Sequence, residues 1–157
     1  NLTKYLEVAS IFVYNATDNF LFYCILTGVI ISLILCTGFK FGSKKYYHYI
    51  EAFLFLVLYI LYLSFVNLGQ PFLNFQWDIL LLETSIITIL HLLFLKNIEA
   101  RNIFRWIYML LIFKLMLMSG LVKLASKDPA WADLSALQYH YFTQPIPNPG
   151  AFWIHQL

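Results

Sequence analysis

Four runs of about twenty apolar residues decide what this chain can fold into. A helix needs about 20 predominantly apolar residues to span the hydrocarbon core of a bilayer. The runs 20–39, 50–68, 77–95 and 103–122 each reach that length. The first carries no charge, and the second holds Glu51 at its mouth. The third contains Asp78, Glu83 and His91, and the fourth contains Arg105 and Lys114. Backbone polar groups find no water in lipid, so the runs are expected to be helices rather than open strands. Composition agrees: 61% of the 157 residues are hydrophobic and 11% are charged. So few charges cannot clothe a water-facing surface, and a disordered chain would be polar and highly charged. A net charge of +2 gives no field that would recruit nucleic acid. The expected fold is all-α, a polytopic membrane bundle of about four spans. Residues 1–122 form the transmembrane region, and 123–157 form an extracytoplasmic segment.

The connections assign a direction. Lys40, Lys44 and Lys45 follow the first run; Lys96, Arg101 and Arg105, against Glu99, follow or open the later ones. The connection 67–76, from Asn67 to Gln76, has no charge. Basic loops stay in the cytoplasm, so everything after Val122 is expected to face the lumen or exterior. Two sequons, at Asn1 and Asn15, fall on the same side. The chain starts without Met, and a new apolar stretch opens at Ala151, which reads as a fragment of a longer protein. No signal peptide pattern opens it. Cys24 and Cys36 would lie about 18 Å apart along one helix, too far for a disulfide.

Beyond Val122, Asp128-Pro129 has the form of a helix cap followed by proline in the first turn. Trp131, Leu134, Gln138 and Tyr141 follow at helical spacing, which predicts a short helix on the membrane surface anchored by Trp131. Pro145, Pro147 and Pro149 end it and stiffen an extended stretch.

Ionisable residues inside a membrane need a partner or a purpose. Glu83 lies about 9 Å below the Trp77 end of its run, and Lys114 about 12 Å below the Val122 end of its own. The matched depth suggests a pair, and Asp78 and Lys123 are matched at the mouth. The set has two readings. One is structural, an ion pair that fixes helix packing or a snorkelling Lys114. The other is a polar site built from Gln76, Asp78, Glu83, Lys114 and Lys123 and open to the lumen. His91 sits two turns from Glu83, too far to share an ion, so no metal and no cofactor are expected. His140 and His155 stand among aromatic residues and read as interfacial hydrogen-bonding groups. No nucleophile elbow, phosphate loop or dinucleotide fingerprint occurs.

Three blocks carry a resemblance. The first is Phe75-Gln76-Trp77-Asp78 followed by Leu80-Leu81-Leu82-Glu83-Thr84. The second is Lys114-Leu115-Met116 with Ser119-Gly120-Leu121-Val122-Lys123-Leu124. The third runs from Ser126 to Trp153 and includes Asp128, Pro129, Trp131, Tyr139, His140, Tyr141, Gln144, Pro145 and Pro147. In this order they resemble the lipase maturation factor family. The resemblance implies a polytopic endoplasmic reticulum protein that helps secreted lipases fold, assemble and leave the compartment. It also implies a lipase client, a lipid bilayer around the spans and no chemistry of its own. A bacterial member would sit in the inner membrane. The Gly120 to Leu124 stretch followed by Trp131 is similar to a motif of vitamin K-dependent carboxylase and its membrane relatives. That second likeness implies an enzyme with Lys123 as its base.

Overall fold

The computed structural model describes residues 10–38, 46–73, 75–143 and 149–155. Its helices are α1 (Asp18–Cys36), α2 (Tyr47–Gly69), α3 (Gln76–Leu93), α4 (Ile98–Ala125), α5 (Pro129–Ala132), α6 (Ala136–Thr143) and α7 (Pro149–His155). Two 3-10 turns, Ile11–Val13 and Gln70–Leu73, complete the regular structure, and no strand occurs among the described residues. Helices α1 to α4 are long and apolar enough to cross a membrane. The all-α, four-span expectation therefore holds. The chain divides into two compact units, Asn1–Leu110 and Leu111–Leu157.

Helix ends follow local chemistry. Asp18 places its charge in the first turn of α1, where the helix dipole favours an anion. Gly38 closes the other end at a φ of 64°, donating its N–H to the Leu35 carbonyl at 3.1 Å. At the start of α3, the Asp78 carboxylate reaches back to the Phe75 N–H at 3.0 Å. Asn97 caps α4 by accepting from the N–H groups of Glu99 and Ala100 at 2.9 and 3.2 Å. This cap starts α4 five residues before the apolar run at Ile103, so Arg105 lies inside the helix. The helix also continues past Val122 to Ala125 and carries Lys123 in its last turn. Its 28 residues span about 42 Å, against about 30 Å of hydrocarbon.

In the first unit α2 is the central element, packing chiefly on α3 and also on α1. The buried positions on α2 include Ala52 and Ser64, small residues that let helices approach closely. The turn Ile11–Val13 docks on α2 through Ser64. The Ser64 Oγ accepts the Ile11 N–H at 3.0 Å, and the Ser10 Oγ donates to the Ser64 carbonyl at 3.3 Å. Phe12, buried, meets Phe65 edge-on at 4.8 Å and Phe20 at 6.0 Å. Between α3 and the start of α4, His91 stacks on Phe104 at 5.1 Å, and the Thr88 and Tyr108 hydroxyls are 3.2 Å apart.

In the second unit, the one surface helix that the spacing from Trp131 to Tyr141 predicts is two helices. α5 stops at Ala132 because Asp133 accepts from the Ser135 N–H at 3.0 Å and from its hydroxyl at 2.6 Å. That local bond gives the backbone an alternative to continuing the helix. Leu134 then takes a left-handed φ of 65° and is 86% exposed. A leucine pays about 1–2 kcal/mol for that conformation. Pro149, expected in an extended stretch, is the first residue of α7. Phe152 and Trp153 of α7 are exposed.

The Asp133 carboxyl is held below the usual range, first by the Ser135 hydroxyl and then by its N–H. A depressed folded value makes the contribution to stability complete above the free-chain range near pH 4. It is lost as the pH falls through the lower folded value. Acidification below about pH 4 is therefore expected to loosen the α5–α6 junction. Amide exchange at Ser135 checks this, and Asp133→Asn should remove the dependence.

Candidate functional site

Two places bring polar residues singled out from the sequence into contact with partners. The first is the contact between α2 and the start of α3. Asp78 is 3% exposed, and its carboxylate accepts the hydroxyl of Tyr62 on α2 as well as the Phe75 N–H. One carboxylate thus joins two spans and caps the second. Gln76 and Glu83, seven residues apart, share a face of α3. Asp78 lies about 140° around the helix from Glu83 and is turned into α2. Gln76 is exposed and Glu83 is half-buried.

The second place is the end of α4. The ammonium of Lys123 lies 4.6 Å from the centre of the Trp131 ring. Helix α5 starts six residues after Lys123, so the path between them is short. Its turn is built by Ser126, whose hydroxyl donates to the Lys123 carbonyl at 2.7 Å and accepts the Asp128 N–H at 3.3 Å. Asp128 in turn caps α5 by accepting the Ala130 N–H at 3.0 Å, and Pro129 occupies the first helical position. The cap that the sequence predicts is therefore present. Lys127 between these residues takes a φ of 54°. An ammonium over an aromatic face is attracted by the ring quadrupole. A neutral amine lacks that attraction, so this geometry suits a charged lysine rather than a general base.

The other sequence-derived positions are spread out. Lys114 lies on the part of α4 that belongs to the second unit. Tyr139 and His140 are exposed on α6, and Tyr141 is in the same helix. Gln144, Pro145 and Pro147 lie outside the described residues, as do Lys40, Lys44, Lys45 and the Asn1 sequon. Among the described residues no group of three His, Cys, Asp or Glu side chains is placed to hold a metal ion. Cys24 is buried and Cys36 exposed, and both are free thiols.

Sequence reasoning missed Tyr62. A tyrosine inside an apolar run is a common lipid-facing residue, so its type gives no warning. The signal that was present is position: Tyr62 is seven residues before the end of α2 and Asp78 two after the start of α3. A short connection places both near one edge. Buried His48, with its Nε2 unpartnered, was also not singled out.

Residues 2–157 match the lipase maturation factor transmembrane domain. The chain is 46% identical over 114 residues to lipase maturation factor 2 of Xenopus tropicalis, covering 68% of this chain and 16% of that protein. It is 40% identical over 119 residues to lipase maturation factor 2 of Homo sapiens, covering 66% of this chain and 17% of that protein. With lipase maturation factor 1 of Mus musculus it shares 40% identity over 113 residues, covering 66% of this chain and 19% of that protein. The chain thus spans less than a fifth of the length of these relatives. No solved structure matches it.

Proposed function

The chain belongs to the lipase maturation factor family, and from that premise we propose that it is the membrane-embedded part of a factor that assists the folding, assembly and export of secreted lipases. The observation that carries the reading is the match to the family's transmembrane domain over residues 2–157. Four membrane-length helices are in keeping with an integral membrane protein that holds the rest of such a factor at a membrane. In this reading the membrane is that of the endoplasmic reticulum, or the inner membrane of a bacterium. The basic connections face the cytoplasm and the segment after Val122 faces the lumen.

The polar residues then divide into two roles. Of Gln76, Asp78, Glu83, Lys114 and Lys123, Asp78 holds α2 and α3 in register, and the others serve the structure of the membrane region rather than a reaction. The luminal stretch containing Asp128, Pro129, Trp131, Tyr139, His140, Tyr141, Gln144, Pro145 and Pro147 forms the face turned to the client. The Lys123–Trp131 contact fixes where that stretch leaves the membrane.

The test removes the full-length parent from its own host and measures secreted lipase activity. Activity is expected to fall, and a wild-type copy should restore it. Lys123→Arg should restore it to within about twofold, because a guanidinium also sits on an indole face. Trp131→Ala should restore much less while the factor's own abundance stays normal. Unchanged lipase secretion on deletion would remove the lipase client from this reading. A null Lys123→Arg would return the lysine to a catalytic role.

A further inference from the structure

The first unit has an open groove of about 490 Å³ between α1, α2 and α3. We propose that this groove binds the acyl chain of a bilayer phospholipid. The inference stands apart from the lipase reading and uses only the geometry of the three helices.

The walls exclude other chemistry. Cys24, Gly28 and Ser32 line it from α1, with Phe55, Tyr62 and Phe65 from α2. Leu81 and Ser85 complete it from α3. The hydroxyls among them are already used within the protein. Ser32 donates to the Gly28 carbonyl at 2.8 Å, Ser85 to the Leu81 carbonyl at 2.7 Å, and Tyr62 to Asp78. A water molecule needs two to four polar partners, and beyond the used hydroxyls these walls offer only the weakly donating Cys24 thiol. A polar ligand would have its own groups unpaired there. A hydrocarbon chain has none to satisfy.

Size and position fit one chain. The volume lies within the usual range of small-ligand sites, about 300–1,000 Å³. Along α2 the lining from Phe55 to Phe65 covers about 15 Å. That is half of the roughly 30 Å hydrocarbon core, the thickness of one leaflet. The groove begins about 6–9 Å inside the ends of the helices at Asp18, Gly69 and Gln76. A lipid on that side therefore enters as bare chain, its ester and headgroup remaining outside, which accounts for walls with no free hydroxyl or charged group. The driving force is contact rather than dehydration. Lining atoms facing a void forfeit dispersion partners, and lipid tails are the medium at hand to restore them.

Gly28 supplies the test. A Cβ built there meets no atom within 4 Å, so a larger side chain has room to grow into the groove without a backbone clash. The full-length protein is placed in phosphatidylcholine nanodiscs containing a phosphatidylcholine with a diazirine in mid-chain. Photoadducts are then counted residue by residue. Adducts at groove residues are expected several-fold above those at Ile112 and Phe113, which are exposed on α4. Gly28→Leu should abolish the excess and leave the α4 adducts unchanged, whereas Gly28→Ala should keep most of it. Ser32→Leu, which fills the groove from the next turn, repeats the test should Gly28→Leu fail to fold. Even labelling that neither variant alters would overturn the proposal, since it describes bulk lipid. So would a groove that takes no label, which would mean that protein covers it. Stronger labelling by a free diazirine fatty acid than by the phospholipid would also overturn it.

Discussion

Asp78→Ala is expected to destabilise the membrane bundle by about 2–3 kcal/mol. The side chain is buried at 3% exposure and has two jobs. It accepts the Tyr62 hydroxyl from α2 and the Phe75 N–H at the start of its own helix. Alanine leaves the Tyr62 hydroxyl and the Phe75 N–H without the acceptor they share. Asp78→Asn keeps an acceptor oxygen and should cost about 1 kcal/mol. Tyr62→Phe removes one bond alone, and interhelical bonds in membranes average about 0.6 kcal/mol. Unfolding in mixed detergent micelles, followed by helical signal, ranks the three variants. An alanine variant no weaker than the asparagine one would show that the hydrogen bonds do not hold these spans.

Phe12→Ala should act as strongly but locally. A buried phenylalanine truncated to alanine costs about 3–5 kcal/mol when the site cannot collapse. Here the ring lies against Phe65 and Phe20, and the segment around it has few other attachments: the Ser10 and Ile11 bonds to Ser64. The expected outcome is release of residues 10–14 from α2 while the bundle stays folded. Amide exchange at Ile11 should rise to that of an open chain. Exchange within α2 and α3 should be unchanged. Slow exchange at Ile11 in the variant would place the holding force in Ser64 instead.

The spans were legible because lipid imposes a length and forbids charge, and both constraints are written one residue at a time. Ile50 and Leu68 bound an apolar run, and α2 extends it by three residues at one end and one at the other. The partner of Asp78 was not legible in the same way. A buried carboxylate announces that a donor exists, but which hydroxyl meets it depends on how two helices rotate. The break at Asp133 was hidden for a different reason. Trp131, Leu134, Gln138 and Tyr141 keep helical spacing, and one side-chain bond to Ser135 overrides it. Periodicity reports where apolar groups recur, not where a local acceptor outbids the next turn. The apolar run groups Lys123 with the segment after Val122, and in the structure it lies in the last turn of α4, which ends at Ala125. The apolar run stops at Val122, while helical hydrogen bonding does not require apolar residues.

The Tyr62–Asp78 bond also bears on how the protein is made. The third span carries an acid that must leave water to enter lipid, and of the four spans it is the least apolar. Alone at the insertion machinery, such a segment is a poor candidate for lateral release. Its hydrogen-bond donor emerges from the ribosome just ahead of it, on α2. Only residues 70–75 separate the two helices, and Gly69 lets the turn close tightly, since a Cβ there would come within 2.7 Å of the Leu73 side chain. The expected consequence is an order of biosynthesis: α2 waits, and α3 leaves the translocon with it as a helical hairpin, the acid already holding the Tyr62 hydroxyl.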